Sequence, residues 1–195
     1  MLIIGGGVIG TAIARELSRY KLDICLVEKE ADIARGTSKA NSGIIHAGYN
    51  ASSQTLKGNL NIKANPKFDT ICENLKVPFA RIGSLVVGFE EKDLPKLKAK
   101  KENGKKQGVK NLEILNKSEL MDKEPNLNKQ AKYALFAPTA GIISPFELAI
   151  AYADNAALNG VKILLETEVE DIITSDNQIK YVKTNNNQIY PDLVV

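Results

Sequence analysis

The first thirty residues contain the feature that most constrains this chain, a run of glycines that follows an apolar segment. In the stretch LIIGGGVIGTAIARELSRY (2–20), three glycines stand in a row. Because glycine loses more backbone freedom on folding than any other residue, such a run needs a compensating interaction. The pattern predicts a buried strand at 2–4, an amphipathic helix at 9–20 and a second strand in DICLVEK (23–29). This order predicts a βαβ unit, in which a right-handed crossover joins two parallel strands.

The glycine spacing indicates what the compensating interaction is. Gly5, Gly7 and Gly10 form a GxGxxG pattern at the junction of the first strand and the helix. Gly5 permits a tight turn, Gly7 lets the backbone approach a pyrophosphate, and Gly10 lets helix and strand pack closely. Glu28 ends the second strand, at the position where a carboxylate meets the ribose hydroxyls of an adenine dinucleotide and would repel the 2′-phosphate of NADP. A glycine turn without a ligand is the alternative interpretation.

Composition places the chain among globular proteins and excludes several functions. Its 195 residues are 44% hydrophobic and 25% charged, enough for one core or two small ones. The net charge of +3 comes mostly from lysine, without a stripe of arginines and aromatics, so we expect no nucleic-acid partner. Cys25 and Cys72 form no metal-binding or disulfide pattern, so we expect no metal site and a reducing compartment. With no span-length apolar stretch and no signal peptide, we expect a soluble cytoplasmic protein; peripheral membrane association stays open.

Beyond the βαβ unit the pattern predicts a mixed arrangement of loops, strands and helices. Residues 34–55 lack a clear period, which is typical of a functional loop. A strand leading into a short helix is expected near 112–127, with Ser118 as the N-cap of that helix, and Gly160 is expected to end a longer helix. The remaining predictions are a helix at 55–75, a strand at 79–89, a lysine-rich helix at 91–108, a strand at 133–138, a helix at 146–159, and strands in VKILLETEVEDI, IKYVKT and IYPDLVV.

Three stretches carry a resemblance to a known family. EKEADIARGTSKANSGIIHAGY (28–49) resembles the cofactor segment of FAD-dependent oxidoreductases of the D-amino-acid-oxidase-like superfamily. NSGIIHAGY within it, together with YALFAPTAGIISPFELAIAYADNA (133–156), is similar to the branch that contains glycerol-3-phosphate dehydrogenase and L-2-hydroxyglutarate oxidase. TEVEDI (167–172) looks like the strand whose valine backbone meets the adenine in that superfamily. The resemblance therefore favours FAD over a nicotinamide cofactor.

The resemblance also implies roles for individual residues. One group would hold the ADP part of FAD, a second would line the path from the phosphates to the flavin, and a valine would meet the adenine. The first group is Gly5, Gly7, Val8, Ile9, Gly10, Glu28 and Lys29; the second is Thr37, Ser38, Asn41, Ser42, Gly43 and Ile45; the valine is Val169.

The implied fold is α/β, an FAD-binding Rossmann-like βαβ domain with an inserted mixed segment of sheet and helix. We expect the FAD-binding domain at 1–78 and 146–195, with the first part of a substrate domain at 79–145. The members of the superfamily continue well beyond the counterpart of YPDLVV. We therefore expect this chain to be the N-terminal part of a longer oxidoreductase, with an incomplete substrate pocket.

The implied activity is oxidation of a small anionic 2-hydroxy compound by hydride transfer to flavin, with glycerol 3-phosphate as the first candidate and 2-hydroxyglutarate as the second. His46, the only histidine, would be the catalytic base beside the flavin; a structural histidine is the equally weighted alternative. For Arg81 the sequence favours an exposed surface position over attraction of an anionic substrate. The rival functions are an NAD-dependent dehydrogenase and a non-catalytic nucleotide-binding or assembly fragment. The electron acceptor is not indicated.

Overall fold

The predicted strand–helix–strand unit is present at the start of the chain. The computed structural model describes all 195 residues. In chain order the elements are β1 (Leu2–Ile4), α1 (Val8–Leu17), β2 (Cys25–Val27), β3 (Ile44–Ile45), α2 (Leu56–Ala64), α3 (Lys67–Leu75), β4 (Phe79–Ala80), β5 (Ser84–Gly88), α4 (Leu94–Lys106), β6 (Glu113–Leu115), α5 (Lys117–Lys123), β7 (Tyr133–Ala137), β8 (Gly141–Ile143), α6 (Pro145–Leu158), β9 (Lys162–Leu164), β10 (Val169–Ser175), β11 (Gln178–Thr184) and β12 (Gln188–Ile189). Short 3₁₀ turns lie at Thr37–Lys39 and Glu91–Asp93.

The chain divides into two units. The first contains Met1–Ser42, Leu75–Val77 and Ser144–Val195, and the second contains Gly43–Asn74 and Pro78–Ile143. The domain boundaries expected from the sequence, at residues 78 and 145, stay a prediction. No helix in either unit has the length and apolar character needed to cross a membrane.

The first unit is built on a parallel sheet with β1 inside it. β2 pairs with β1 and with β9, both in parallel, and Leu2 lies opposite Cys25. On its other edge β1 meets the end of the chain, where the Leu2 amide donates to the Leu193 carbonyl and the Val195 amide donates to the Leu2 carbonyl. Because β1 is bonded on both edges and its Leu2 and Ile3 side chains are buried, the turn after it starts from a fixed strand.

Both faces of this sheet are covered, as successive side chains of a strand point to opposite faces. Ile3 and Leu26 pack in one cluster with residues of α1 and α6, such as Ala14 and Ala153. Leu2 and Val27, their neighbours in sequence, pack with Val182 of the antiparallel sheet β10–β11–β12. The first unit is thus a three-layer α/β/β arrangement, and the predicted α/β fold class is confirmed.

The second unit contains two small antiparallel sheets. One has the order β3–β8–β4 and the other the order β5–β7–β6. In β7 the alternating residues again serve two faces: Leu135 packs with Leu97 of α4, and Ala134 packs with Leu120 of α5. This sheet therefore separates the two helices that follow β5 and β6.

Several element boundaries differ from the sequence predictions for identifiable reasons. The helix expected at 55–75 is two helices, because Pro66 lacks an N–H and its ring clashes with the preceding turn. The strand expected at 79–89 is two strands in different sheets, because Gly83 adopts φ +78° between them. The N-cap of α5 is Asn116 rather than Ser118, since its side chain accepts from the Glu119 amide while the Glu119 carboxylate accepts from the Asn116 amide. The expected end of α6 at Gly160 is confirmed by its φ of +93°.

The packing of α1 against the turn after β1 predicts that adding one methyl group at Gly10 lowers stability. A Cβ built on Gly10 lies 2.0 Å from the Gly5 carbonyl oxygen, so the Gly10→Ala protein must shift helix or turn. We expect its free energy of unfolding to fall by about 1–3 kcal/mol, although alanine is the better helix former. Urea unfolding followed by circular dichroism measures this. Ile9→Ala, at a neighbouring position that is 74% exposed, is the control and should change stability by less than about 0.5 kcal/mol. A Gly10→Ala protein as stable as the parent would contradict the close approach.

Candidate functional site

The glycine turn in the first unit brings backbone amides to the start of α1. Gly5 has φ +104°, a conformation that favours glycine, and its amide donates to the Val27 carbonyl at 2.8 Å. Gly7 is the N-cap of α1 and has no side chain to satisfy the first amides of the helix. The Val8 amide instead donates to Ser38 Oγ at 2.9 Å. The Ser38 hydroxyl therefore lies at the N-terminus of α1, an end of the helix that favours an anionic ligand.

Glu28 is held beside this turn by hydrogen bonds to its carboxylate. Its Oε2 accepts from the Gly6 amide at 2.6 Å, and its Oε1 accepts from the Glu30 amide at 3.0 Å. The backbone of Glu28 is bonded as well, because its carbonyl accepts from the Thr167 amide at 2.8 Å. Since each carboxylate oxygen can accept more than one hydrogen bond, acceptor capacity remains for hydroxyl donors.

A cleft of about 340 Å³ opens at this turn, wholly within the first unit. Seven of its lining residues are ones the sequence predicts for cofactor binding: Gly5, Gly7, Glu28, Lys29, Thr37, Ser38 and Val169. Arg35, Thr167 and Glu168 also line it and were missed by sequence reasoning. Arg35 could have been identified from the sequence, because it is a cation two residues before Thr37 and Ser38, which are already predicted to line the phosphate path.

The other predicted cofactor residues of the first unit lie around this cleft in different ways. Ile9 and Gly10 line an adjacent cavity of about 280 Å³ that they share with Gly5 and Gly7. Val8 is partly buried against the helix-side core. The Asn41 amide donates to the Thr37 and Ser38 carbonyls, so it fixes the turn that carries the Ser38 hydroxyl. Ser42 is exposed.

Gly43, Ile45 and His46 belong to the second unit. Gly43 has φ +63°, and its carbonyl accepts from the Ile143 amide at 2.9 Å. Ile45 lies in β3 opposite Gly141. His46 is exposed and lines a cavity of about 410 Å³, together with Tyr49, Asn50, Lys57 and Asn61 among others. The imidazole of His46 makes no hydrogen bond or ion pair within the chain.

A buried amide fixes the backbone that carries His46. Asn65 is only 8% exposed, and its Nδ2 donates to the His46 carbonyl at 2.9 Å and to the Thr139 carbonyl at 3.0 Å. Arg81 in turn donates to Asn65 Oδ1 at 3.1 Å, to the Thr139 carbonyl and to the Asp69 carboxylate. The expectation of a surface role for Arg81 is therefore wrong: its side chain is 24% exposed and all its contacts are internal. It supports the position of His46 through Asn65.

The two sites differ in the chemistry that they offer. The cleft of the first unit presents backbone amides, a hydroxyl and a carboxylate, which suit the phosphates and ribose of a nucleotide. The cavity of the second unit presents an imidazole and an ammonium group, which suit proton transfer beside an anion. No group of three histidine, cysteine, aspartate or glutamate side chains is placed to hold a metal ion.

Comparison with known proteins gives the family. Residues 1–195 match the family model described as FAD dependent oxidoreductase, DAO. The chain is similar to glycerol 3-phosphate dehydrogenase of Caloramator mitchellensis, with 51% identity over 174 residues that cover 89% of this chain and 36% of that protein. It is 34% identical to the mitochondrial L-2-hydroxyglutarate dehydrogenase of Nematostella vectensis over 171 residues, 87% of this chain and 37% of that one.

A solved structure agrees with these relatives. Dithionite-reduced L-alpha-glycerophosphate oxidase of Mycoplasma pneumoniae with FAD bound matches with a TM-score of 0.88 at 34% identity, covering 99% of this chain and 51% of that one. The chain thus spans between about a third and a half of the length of these relatives.

The ion pair of Arg81 with Asp69 predicts a pH dependence of stability. The hydrogen bond from Arg81 lowers the pKa of Asp69 below its ordinary value. Because its pKa is lowered, the ionised carboxylate of Asp69 stabilises the folded state at pH values above the unfolded-state pKa of about 3.9. This contribution is lost as the pH falls through the folded-state pKa. The parent should therefore exceed Asp69→Asn in stability at pH 7, by less than about 1 kcal/mol because the carboxylate is largely exposed, and this difference should shrink as the pH falls through the lowered pKa of Asp69. Urea unfolding between pH 3 and 7 measures this, with Asp122→Asn, an exposed helical aspartate without an ion pair, as the control. A difference that does not depend on pH would contradict the ion pair.

Proposed function

Because the chain belongs to the DAO family of FAD-dependent oxidoreductases, we propose that its first unit binds FAD and that the protein oxidises a small anionic 2-hydroxy compound. The observation that carries the proposal is the cleft at the glycine turn, where predicted dinucleotide-binding residues from separate parts of the chain meet. Glycerol 3-phosphate is the first candidate substrate, because the relative with that activity shares 51% of its residues over the matched region.

The residues of the cleft fit the ADP part of FAD. The pyrophosphate would lie at the Gly5–Gly7 turn and the N-terminus of α1, where the helix dipole favours negative charge. Ser38 Oγ accepts from the Val8 amide, so its own O–H remains to donate to a phosphate oxygen. Arg35 adds a cation at the same cleft that makes no ion pair with a carboxylate of the chain.

The nucleoside end of FAD would be held by residues beside the turn. Glu28 retains acceptor capacity for the ribose hydroxyls, and Lys29 follows it along the lining. Val169 starts β10 at the same cleft and would present its backbone to the adenine. The Glu28 carboxylate would repel the extra phosphate of NADP, and the family match supports FAD over NAD.

His46 is proposed as the base that takes the hydroxyl proton of the substrate. When bound, FAD supplies the acceptor for the hydride that leaves the oxidised carbon. The imidazole faces a cavity and has no partner in the chain, whereas a histidine that merely caps a loop would use a ring nitrogen for that purpose. The hydrogen bond from Asn65 fixes only the backbone of His46, so the ring stays available.

L-2-hydroxyglutarate is the second candidate, since the L-2-hydroxyglutarate dehydrogenase of Nematostella vectensis is 34% identical over the matched region. Both compounds join a secondary alcohol to an anionic group, so the same base would serve either. Electrons must then pass to an acceptor that the chain does not reveal. A cytoplasmic location also stays a prediction from the sequence.

The base role of His46 predicts a slow variant. In the FAD-loaded protein, His46→Ala should retain the flavin absorption bands, yet its flavin should be bleached by glycerol 3-phosphate at least about 100-fold more slowly than in the parent. Anaerobic stopped-flow absorption measures the reduction, with L-2-hydroxyglutarate and glycerol as comparison substrates. Reduction of the variant at the parental rate would make His46 structural. Failure of both anionic compounds to bleach the parent would overturn the substrate proposal.

A further inference from the structure

The cavity beside His46 carries a charge distribution that the proposed function does not use. We infer that Lys57, with Asn50 and Ser52, forms the subsite for the anionic end of the substrate. The inference rests on the proposed function, because it places the phosphate or carboxylate of the same substrate whose hydroxyl meets His46. All these residues lie in the second unit and line one cavity of about 410 Å³.

The charge of the cavity is positive. Lys57 is the only cation in its lining, and the lining contains no carboxylate. The ammonium of Lys57 makes no ion pair within the chain, in contrast to Lys105 or Lys132, which pair with nearby glutamates. A second ammonium lies at the rim, because Lys100 Nζ donates to Asn50 Oδ1 at 2.6 Å. An anion entering this cavity would therefore meet attraction without a competing negative charge.

Two polar side chains beside Lys57 keep hydrogen-bond donors free. The oxygen of the Asn50 amide is occupied by Lys100, which leaves its N–H groups to donate. The Ser52 hydroxyl accepts from the Gln54 amide at 3.2 Å, so its O–H remains. Thr55 contributes nothing further, because its hydroxyl donates to the Ser52 carbonyl and accepts from the Gly58 amide. An ammonium, an amide N–H and a hydroxyl together suit phosphate or carboxylate oxygens.

One acceptor in the same lining points to a hydroxyl on the ligand. Asn61 Oδ1 is buried and has no hydrogen-bond partner in the chain. A buried acceptor left unpaired is destabilising, so a ligand that donates an O–H to it gains affinity. Besides the His46 imidazole, the cavity therefore offers this acceptor and several donors, which matches a compound with both a hydroxyl and an anionic group.

Arg81 is not an alternative anion site. Its guanidinium already donates to Asp69, to Asn65 and to the Thr139 carbonyl, and one of these partners is itself a carboxylate. Binding of a substrate anion there would require breaking this network. Lys57 has no such partner, which is why the assignment falls on it.

The test compares the Lys57→Met variant with two control variants. Lys63→Met removes an exposed lysine of the same helix that does not line the cavity, and Lys57→Arg keeps the charge. Isothermal titration calorimetry on the FAD-loaded proteins measures the binding of inorganic phosphate and, separately, of glutarate, which distinguishes a phosphate from a carboxylate preference. Neither probe carries a secondary alcohol, so neither is oxidised.

We expect Lys57→Met to weaken binding of the preferred anion on the order of 10- to 100-fold, as loss of a charge-assisted hydrogen bond implies. Lys63→Met should stay within about 2-fold of the parent, since a surface lysine away from the cavity contributes little, and Lys57→Arg should retain most of the affinity. In flavin reduction, Lys57→Met should raise KM for glycerol 3-phosphate with a smaller effect on kcat.

Two results would overturn the subsite. One is an unchanged dissociation constant for Lys57→Met; the other is a parent protein that binds neither phosphate nor glutarate. Neither result touches the flavin proposal, which is judged by the absorption bands of the loaded protein. Conversely, if FAD fails to bind, the flavin proposal fails, and the same calorimetric comparison made on the FAD-free proteins still tests the anion site.

Discussion

The first unit depends on the close approach of α1 to the turn that follows β1. There is no room for a side chain at Gly10, because its Cβ would lie 2.0 Å from the Gly5 carbonyl oxygen. This approach sets the N-terminus of α1 directly at the carboxyl end of β1, within reach of Ser38 and of the turn that Glu28 holds. The glycine run thus gives up backbone entropy to set the N-terminus of α1 at this turn, and the phosphates of a dinucleotide are the ligand that such a helix N-terminus favours.

In the second unit, the side chain proposed as the base is positioned through its backbone. His46 lies on an exposed loop, where a ring without hydrogen bonds needs a fixed backbone to act reproducibly. Asn65 provides this by donating to both the His46 and the Thr139 carbonyls, and Arg81, itself paired with Asp69, holds Asn65 in turn. These hydrogen bonds do not involve the His46 imidazole or the Lys57 ammonium, which have no partner in the chain.

Local signals carried most of what the sequence could predict. The βαβ unit, the glycine turn and the meeting of Glu28 with it follow from spacing that is readable within thirty residues. The helical spacing of apolar residues predicted one helix across Pro66, where the structure has two. The missing N–H of proline is a local signal that could have indicated the break. The role of Arg81 could not be read, because its partners Asn65 and Thr139 lie far apart in sequence and are joined only by folding. The positive cavity at Lys57 was missed for the same reason, since its rim includes the distant Lys100.

The central claim is that the glycine turn and Glu28 form a binding site for the ADP part of FAD. The most direct measurement is a titration of the protein and of its Glu28→Ala variant with FAD, followed by the change in flavin absorption and fluorescence. The account predicts saturable binding by the parent, weakened by about 1.5–3 kcal/mol in Glu28→Ala and unaltered in Glu16→Ala, an exposed glutamate of α1. Equal affinity of the parent and Glu28→Ala would contradict it.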